Sequence, residues 1–161
     1  MADGKKKESK DHQPAEAKSA YVALLATADR IRSFFESVCA PFNITAQQYN
    51  VLRILRGAGP EGLPTLTIAE RMIERAPGIT RMIDRLESKG LVEREVCPSD
   101  RRCVYCRITR KGLDLLKQLD GPVKEANRAA FGGLSKAEIE QLTALLLKAR
   151  KAHESKGEQK G

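Results

Sequence analysis

Between Arg71 and Lys111 the chain carries eleven Lys and Arg against six Asp and Glu, and the arginines with most chemical promise form two clusters. Arg75, Arg81 and Arg85 lie around a segment whose apolar residues Ile79, Met82, Ile83 and Leu86 recur at helical spacing. Arg101 and Arg102 follow Asp100 at the tip of two alternating segments. A guanidinium makes bidentate hydrogen bonds to a guanine edge or a phosphate, and a local cationic excess attracts polyanions by counterion release. A helix pair can set its second helix in the major groove of duplex DNA, and a basic hairpin beside it can reach the backbone or the minor groove. The competing reading of the charge alone is a solvated basic surface.

Catalytic chemistry finds no such footing. There is no Gly-rich phosphate loop, no His-Glu metal pattern and no nucleophile with a partner base, so no enzyme, catalytic residue, metal site or cofactor is expected. Both histidines, His12 and His153, stand in or beside polar chain ends. Aromatic residues make up only 4% of the chain, too few for the stacking platforms of single-strand binders. No apolar run approaches the roughly 18–20 residues of a bilayer span. The basic start, MADGKKKESKDHQ, has no apolar stretch behind it, so a cytoplasmic location without a membrane partner is expected.

These side chains need elements to hold them. The 161 residues suit one domain, or a small domain with an appended helical module. Residues 1–18 and 151–161 read as disordered charged tails. A first helix is predicted from about Ser19 to Cys39, with Tyr21, Leu24, Leu25, Ala28, Ile31, Phe35 and Val38 on one face and Pro41 ending it. Thr45 with Gln48 predicts a capping box opening a second helix, followed by a turn-rich loop over 57–64. A third helix starts near Thr65 or Thr67, and Pro77 suits the first turn of a fourth that Gly90 stops. Leu91–Cys97 and Cys103–Thr109 alternate as strands around a Pro98–Arg102 tip. Thr109 caps a long fifth helix with Leu113, Leu116 and Leu119 on one face, which Gly121-Pro122 should kink or interrupt. Ser135 with Glu138 opens the last helix.

Three stretches, ITRMIDRLESKGLVER (79–94), DRRCVYCRIT (100–109) with Gly112, and LSKAEIEQLTALLLKAR (134–150), resemble the MarR family of bacterial transcription regulators. The Asp-x-Arg wing, followed by a strand ending in Ile-Thr and then Gly, is the most diagnostic part. The resemblance spans about residues 19–150. It implies a mainly α fold with a small two- or three-stranded β wing. A winged helix-turn-helix (45–109) would be flanked by N- and C-terminal dimerisation helices (19–44 and 110–150). It also implies a homodimer on a palindromic operator in double-stranded DNA, and a small effector, often an aromatic acid. Phe34, Phe42, Tyr49 and Arg53 could border the effector pocket, or could be interhelical packing and one surface arginine.

On the fourth helix, Gly78, Thr80, Arg81 and Arg85 take the DNA face, and Thr80-Arg81 matches the family's Thr-Arg pair. Arg85 either meets DNA or pairs with Glu74 or the turn of Glu87. Many relatives carry Gly and a Ser or Thr cap where this chain has Ala76-Pro77, so Arg75 is left to recover part of the base readout. Asp100 braces one of Arg101 and Arg102 and leaves the other for the minor groove.

Of four cysteines, Cys106 should point inward and Cys103 outward, which leaves the CxxC at 103–106 without a metal or redox geometry. If the hairpin pairs symmetrically about Asp100, Cys97 and Cys103 face each other and can form a regulatory disulfide; otherwise they are free thiols. The leading expectation is a sequence-specific regulator, a repressor released by a small effector. The alternatives are a winged-helix interaction or architectural module with little sequence preference, and a thiol-based redox sensor using Cys97 and Cys103.

Overall fold

The computed structural model describes residues 13–73, 78–97 and 100–157, with side chains for 15–73, 78–96 and 104–151. Two compact units divide between Asp120 and Gly121. The first holds α1 (Gln13–Cys39), a 3-10 turn (Ala40–Phe42), α2 (Ala46–Ala58), β1 (Leu63–Pro64), α3 (Thr65–Arg71), α4 (Ile79–Ser88), β2 (Val92–Cys97), β3 (Asp100–Ile108) and the start of α5 (Arg110–Ala130). The second holds the rest of α5 and α6 (Lys136–Gly157). This is the predicted order of a mainly α chain with a small wing. No helix among the described residues is long and apolar enough to cross a membrane.

Local signals set most boundaries. At α2 the Gln48 N–H donates to Thr45 Oγ1 at 3.1 Å and the Thr45 N–H to Gln48 Oε1 at 3.2 Å, the reciprocal cap expected. Ser135 and Glu138 repeat it at α6, with the Ser135 N–H 2.7 Å from Glu138 Oε2. Gly90, at φ 70°, ends α4 in a Schellman turn: its N–H donates to the Glu87 carbonyl at 2.7 Å, and that of Leu91 to Leu86 at 3.0 Å. The core of the first unit joins Val51, Leu52 and Leu55 of α2, Ile68 of α3, Ile83 and Leu86 of α4, and Leu116 and Leu119 of α5, all fully buried. Each such side chain contributes roughly 1.5–3 kcal/mol by leaving water.

Several boundaries correct the sequence reading. Helix α1 starts at Gln13, so residues 13–18 are helical rather than disordered, and α6 continues to Gly157. Pro14 suits the first turn of α1, where a missing N–H costs nothing. Pro122 lies inside α5, which is not interrupted. The apolar stripe of α1 is largely uncovered in the single chain, as its length against three short central helices implies, with Tyr21 62% exposed; Leu113 of α5 is likewise 37% exposed. Leu63 and Pro64, assigned to a loop, pair antiparallel with Cys106 and Tyr105 and make the sheet three-stranded in the order β1-β3-β2. Helix α4 begins at Ile79 with Gly78 as its N-cap; Pro77 lies outside the described residues.

At the wing, Val92–Val96 pair with Ile108–Val104 in even register, but the register then shifts and Cys97 pairs with Asp100. The symmetric pairing that would set Cys97 opposite Cys103 is therefore not adopted. Asp100, Arg101 and Arg102 belong to β3 rather than to a free tip.

Thr109 ties three elements together. Its N–H donates to the Leu91 carbonyl at 3.0 Å, its hydroxyl to the Gly90 carbonyl at 2.7 Å, and its Oγ1 accepts the Gly112 N–H at 3.1 Å. Gly112 lies so close to this knot that a Cβ would run into the Leu91 carbonyl oxygen and stand 2.7 Å from Ile108 Cγ1. The Ile-Thr-x-x-Gly motif thus has a steric cause.

Candidate nucleic-acid interface

Helix α4 is sorted by its own periodicity. At about 100° per residue, Ile79, Ile83 and Leu86 share the buried face, and Gly78, Arg81 and Arg85 share the opposite one. Gly78, Thr80, Arg81 and Arg85 are all exposed, as a face meant for another molecule requires. Among the described residues, neither Arg81 nor Arg85 has an ion-pair partner. Of the two partners suggested for Arg85, Glu87 is engaged elsewhere and Glu74 lies outside the described residues. A Cβ on Gly78 would meet no atom within 4 Å, which leaves the backbone at the start of α4 open to close approach. The four-residue step from Arg81 to Arg85 puts two cations along one strip of helix, as a phosphate backbone or a run of base edges demands.

Glu87 and Asp84 sit on the flank of α4 that faces β2. Arg94 Nη1 lies 2.8 Å from Asp84 Oδ1, its Nε donates to Glu87 Oε2 at 2.9 Å, and its Nη2 also reaches Glu87. The hydrogen bonds from Arg94 hold the Glu87 carboxyl below its ordinary range, and those to Glu87 raise the guanidinium. Sequence reasoning missed this cluster. The available signal was the Gly90 turn, which sends β2 back along α4.

At the foot of α4, Lys89 Nζ donates to the Asn43 carbonyl, and Lys111 Nζ to the Lys89 carbonyl at 2.7 Å. The helix is thus braced at its carboxyl end and open along its outer face. An open cleft of about 290 Å³ runs beside it, with Glu36 and Gln48 on one wall and Gly78, Arg81, Met82 and Arg85 on the other.

The remaining expectations are met unevenly. Tyr49 is buried and Arg53 stacks over its ring at 5.9 Å, while Phe34 meets Phe35 edge-on at 6.3 Å. Phe42 is half-buried, and none of Phe34, Phe42, Tyr49 and Arg53 lines the cleft beside α4. Arg75 lies outside the described residues, as do the side chains of Asp100, Arg101, Arg102, Cys97 and Cys103.

Cys39 and Cys106 are free and buried. Burial pushes the Cys39 thiol up to about 11, with the Glu36 charge adding to the shift. Burial also raises Cys106, against a lowering hydrogen bond from Thr65, whose Oγ1 is 3.4 Å from the sulfur. A raised value means a neutral, unreactive thiol at pH 8. Neither residue should take up iodoacetamide at that pH until denaturant is added, as peptide mass spectrometry can read. Rapid labelling of Cys39 in the folded protein would contradict its burial.

The chain matches the MarR family over residues 44–104. It is 39% identical to a MarR transcription factor from Planctomyces limnophilus, with TM-score 0.66, covering 91% of this chain and 98% of that one. A mutant MarR from E. coli complexed with operator DNA is 27% identical, with TM-score 0.75 and coverage of 83% and 95%. Bordetella bronchiseptica BpsR, whose DNA binding is described as regulated by 6-hydroxynicotinic acid, is 24% identical at TM-score 0.75, covering 82% and 98%; at that identity the likeness speaks for the fold alone. The helix order, the three-stranded wing, the α4 face and a relative of nearly equal length agree: this chain belongs to the MarR family of transcription regulators.

Proposed function

We propose that the chain works as a homodimer that binds a palindromic operator in double-stranded DNA and represses transcription until a small aromatic acid releases it. The observation that carries the reading is the outer face of α4, where Arg81 and Arg85 stand exposed; the strand packed against α4, β2, pairs in turn with the strand that carries Asp100, Arg101 and Arg102. In this reading α4 enters the major groove, and the wing meets the backbone or minor groove with Asp100 bracing one arginine. Gly78 and Thr80 lie against the phosphate backbone, and Arg75 adds to the contact.

The case for a dimer rests on exposed apolar surface. Tyr21, Val22, Leu24 and Leu25 of α1 are uncovered in the single chain, as are Leu145, Leu146 and Leu147 of α6. Patches of this kind are uncommon in monomers. For the effector, Arg53 stacked on Tyr49 offers a cation beside a ring, a pairing suited to an aromatic carboxylate, with Phe34 and Phe42 as further apolar lining. A repressor of this kind acts where the chromosome is, in the cytoplasm.

Selection of fragments from random duplex DNA, followed by titration across salt, tests the reading. A palindromic consensus, a dimer mass in sedimentation and a steep fall of affinity with salt are expected. Equal affinity for every duplex would favour the architectural alternative. Arg101→Ala with Arg102→Ala should weaken operator binding by about 10- to 100-fold at moderate salt, with helicity and dimer mass unchanged. Affinity within a few-fold of the parent would remove the wing from the interface.

A further inference from the structure

Two elements that touch one duplex help each other only if they are presented at a fixed angle, because the second contact is then nearly intramolecular. The short turn at Lys89–Leu91 that links α4 to β2 is pinned at its own residues by Thr109 and Lys111. Arg94 adds a tie beyond the turn, from the body of β2 to the flank of α4. Its fork engages two carboxylates one turn apart on α4, Asp84 at 2.8 Å and Glu87 at 2.9 Å. A planar guanidinium bound through Nε and both terminal nitrogens sets distance and orientation together. The neighbouring acid on the same strand, Glu95, is held by Arg107 across the sheet, so it does not draw Arg94 away. On α4, Asp84 and Glu87 lie beside the strip of Arg81 and Arg85 rather than within it, so the clamp leaves the outer face open. With side chains 32%, 50% and 37% exposed for Arg94, Asp84 and Glu87, the clamp adds little to global stability; its consequence is geometric.

We propose that Arg94 is a positioning residue for DNA binding, which by gripping Asp84 and Glu87 makes the wing and the recognition helix one rigid unit so that they bind a duplex cooperatively. The proposal rests on the DNA-binding reading above and adds a residue that touches no DNA.

A thermodynamic cycle in operator affinity tests it, with the parent, Arg94→Gln, Arg101→Ala/Arg102→Ala, and the combined variant. Coupling predicts that losing the wing arginines costs at least about fivefold less in the Arg94→Gln background than in the parent. Arg94→Lys, which can hold one carboxylate at a time, should restore part of the coupling. Asp84→Asn with Glu87→Gln should reproduce the Arg94→Gln effect and add nothing to it, and this pair serves as the cycle's arm if Arg94→Gln does not fold. Independent losses that simply multiply would overturn the proposal while leaving DNA binding intact. A parent protein that binds no duplex at all would instead remove the DNA-binding reading and this proposal with it.

Discussion

Arg81→Ala combined with Arg85→Ala should weaken operator binding by about a thousandfold or more, since four lost contacts in a dimer come to about 4 kcal/mol even at the low end for an arginine–base pair. The same variant should lose roughly three to four units of the slope of log affinity against log salt if all four arginines neutralise phosphate. Folding should be nearly untouched. Both side chains are exposed, neither has an ion-pair partner among the described residues, and surface changes of this kind stay within about 0.5 kcal/mol. Fluorescence anisotropy from low to moderate salt, with thermal unfolding alongside, reads both quantities. An affinity within tenfold of the parent would take α4 out of the groove, whereas a large loss at unchanged salt slope would assign both arginines to bases rather than to phosphate.

That face of α4 was legible in the sequence because one short helix separates its residues by angle alone. Ile79, Ile83 and Leu86 had to be buried together, and Arg81 and Arg85 were then forced outward. The capping boxes at Thr45/Gln48 and Ser135/Glu138 and the Gly90 stop were legible for a similar reason, since each is completed within a few residues. Strand β1 was not. Leu63 and Pro64 pair with Tyr105 and Cys106 some forty residues on, and two residues carry no alternation to reveal them. The ends of α1 and α6 were missed because their sequences are polar, and a polar run of good helix formers lacks the apolar stripe that periodicity detects.

The wing marks the limit of pattern reading. Alternation predicted both strands, but where the chain turns depends on the register shift between Val96 and Cys97, which no side-chain period encodes. The clamp at Arg94 escaped for a related reason. Pairing rules within a helix pointed Glu87 toward Arg85, whereas the Gly90 turn brings back a guanidinium seven residues later that satisfies Glu87 and Asp84 at once. A contact made across a chain reversal is invisible to rules for one element.

Gly112 offers the sharpest test of the packing that supports all of this. Gly112→Ala should destabilise the protein by about 2 kcal/mol or more, because the added methyl meets backbone and a branched side chain that cannot step aside. The helix propensity of alanine works in the other direction by about 1 kcal/mol, so the steric conflict must exceed it to give that net loss. The conflict is severe: the new Cβ would press on the Leu91 carbonyl oxygen and stand 2.7 Å from Ile108 Cγ1. Gly57, inside α2 with no atom within 4 Å of its would-be Cβ, is the matched control, and Gly57→Ala should gain from a few tenths to about 1 kcal/mol. Urea unfolding midpoints at unchanged m decide the matter, and shifts of the same sign in both variants would refute the steric account. Leu91 and Ile108 are the roots of β2 and β3, so relief of the clash must tilt the wing against α4. Operator affinity in Gly112→Ala should therefore fall even under conditions where the protein remains fully folded, the outcome expected if the wing acts from a fixed angle.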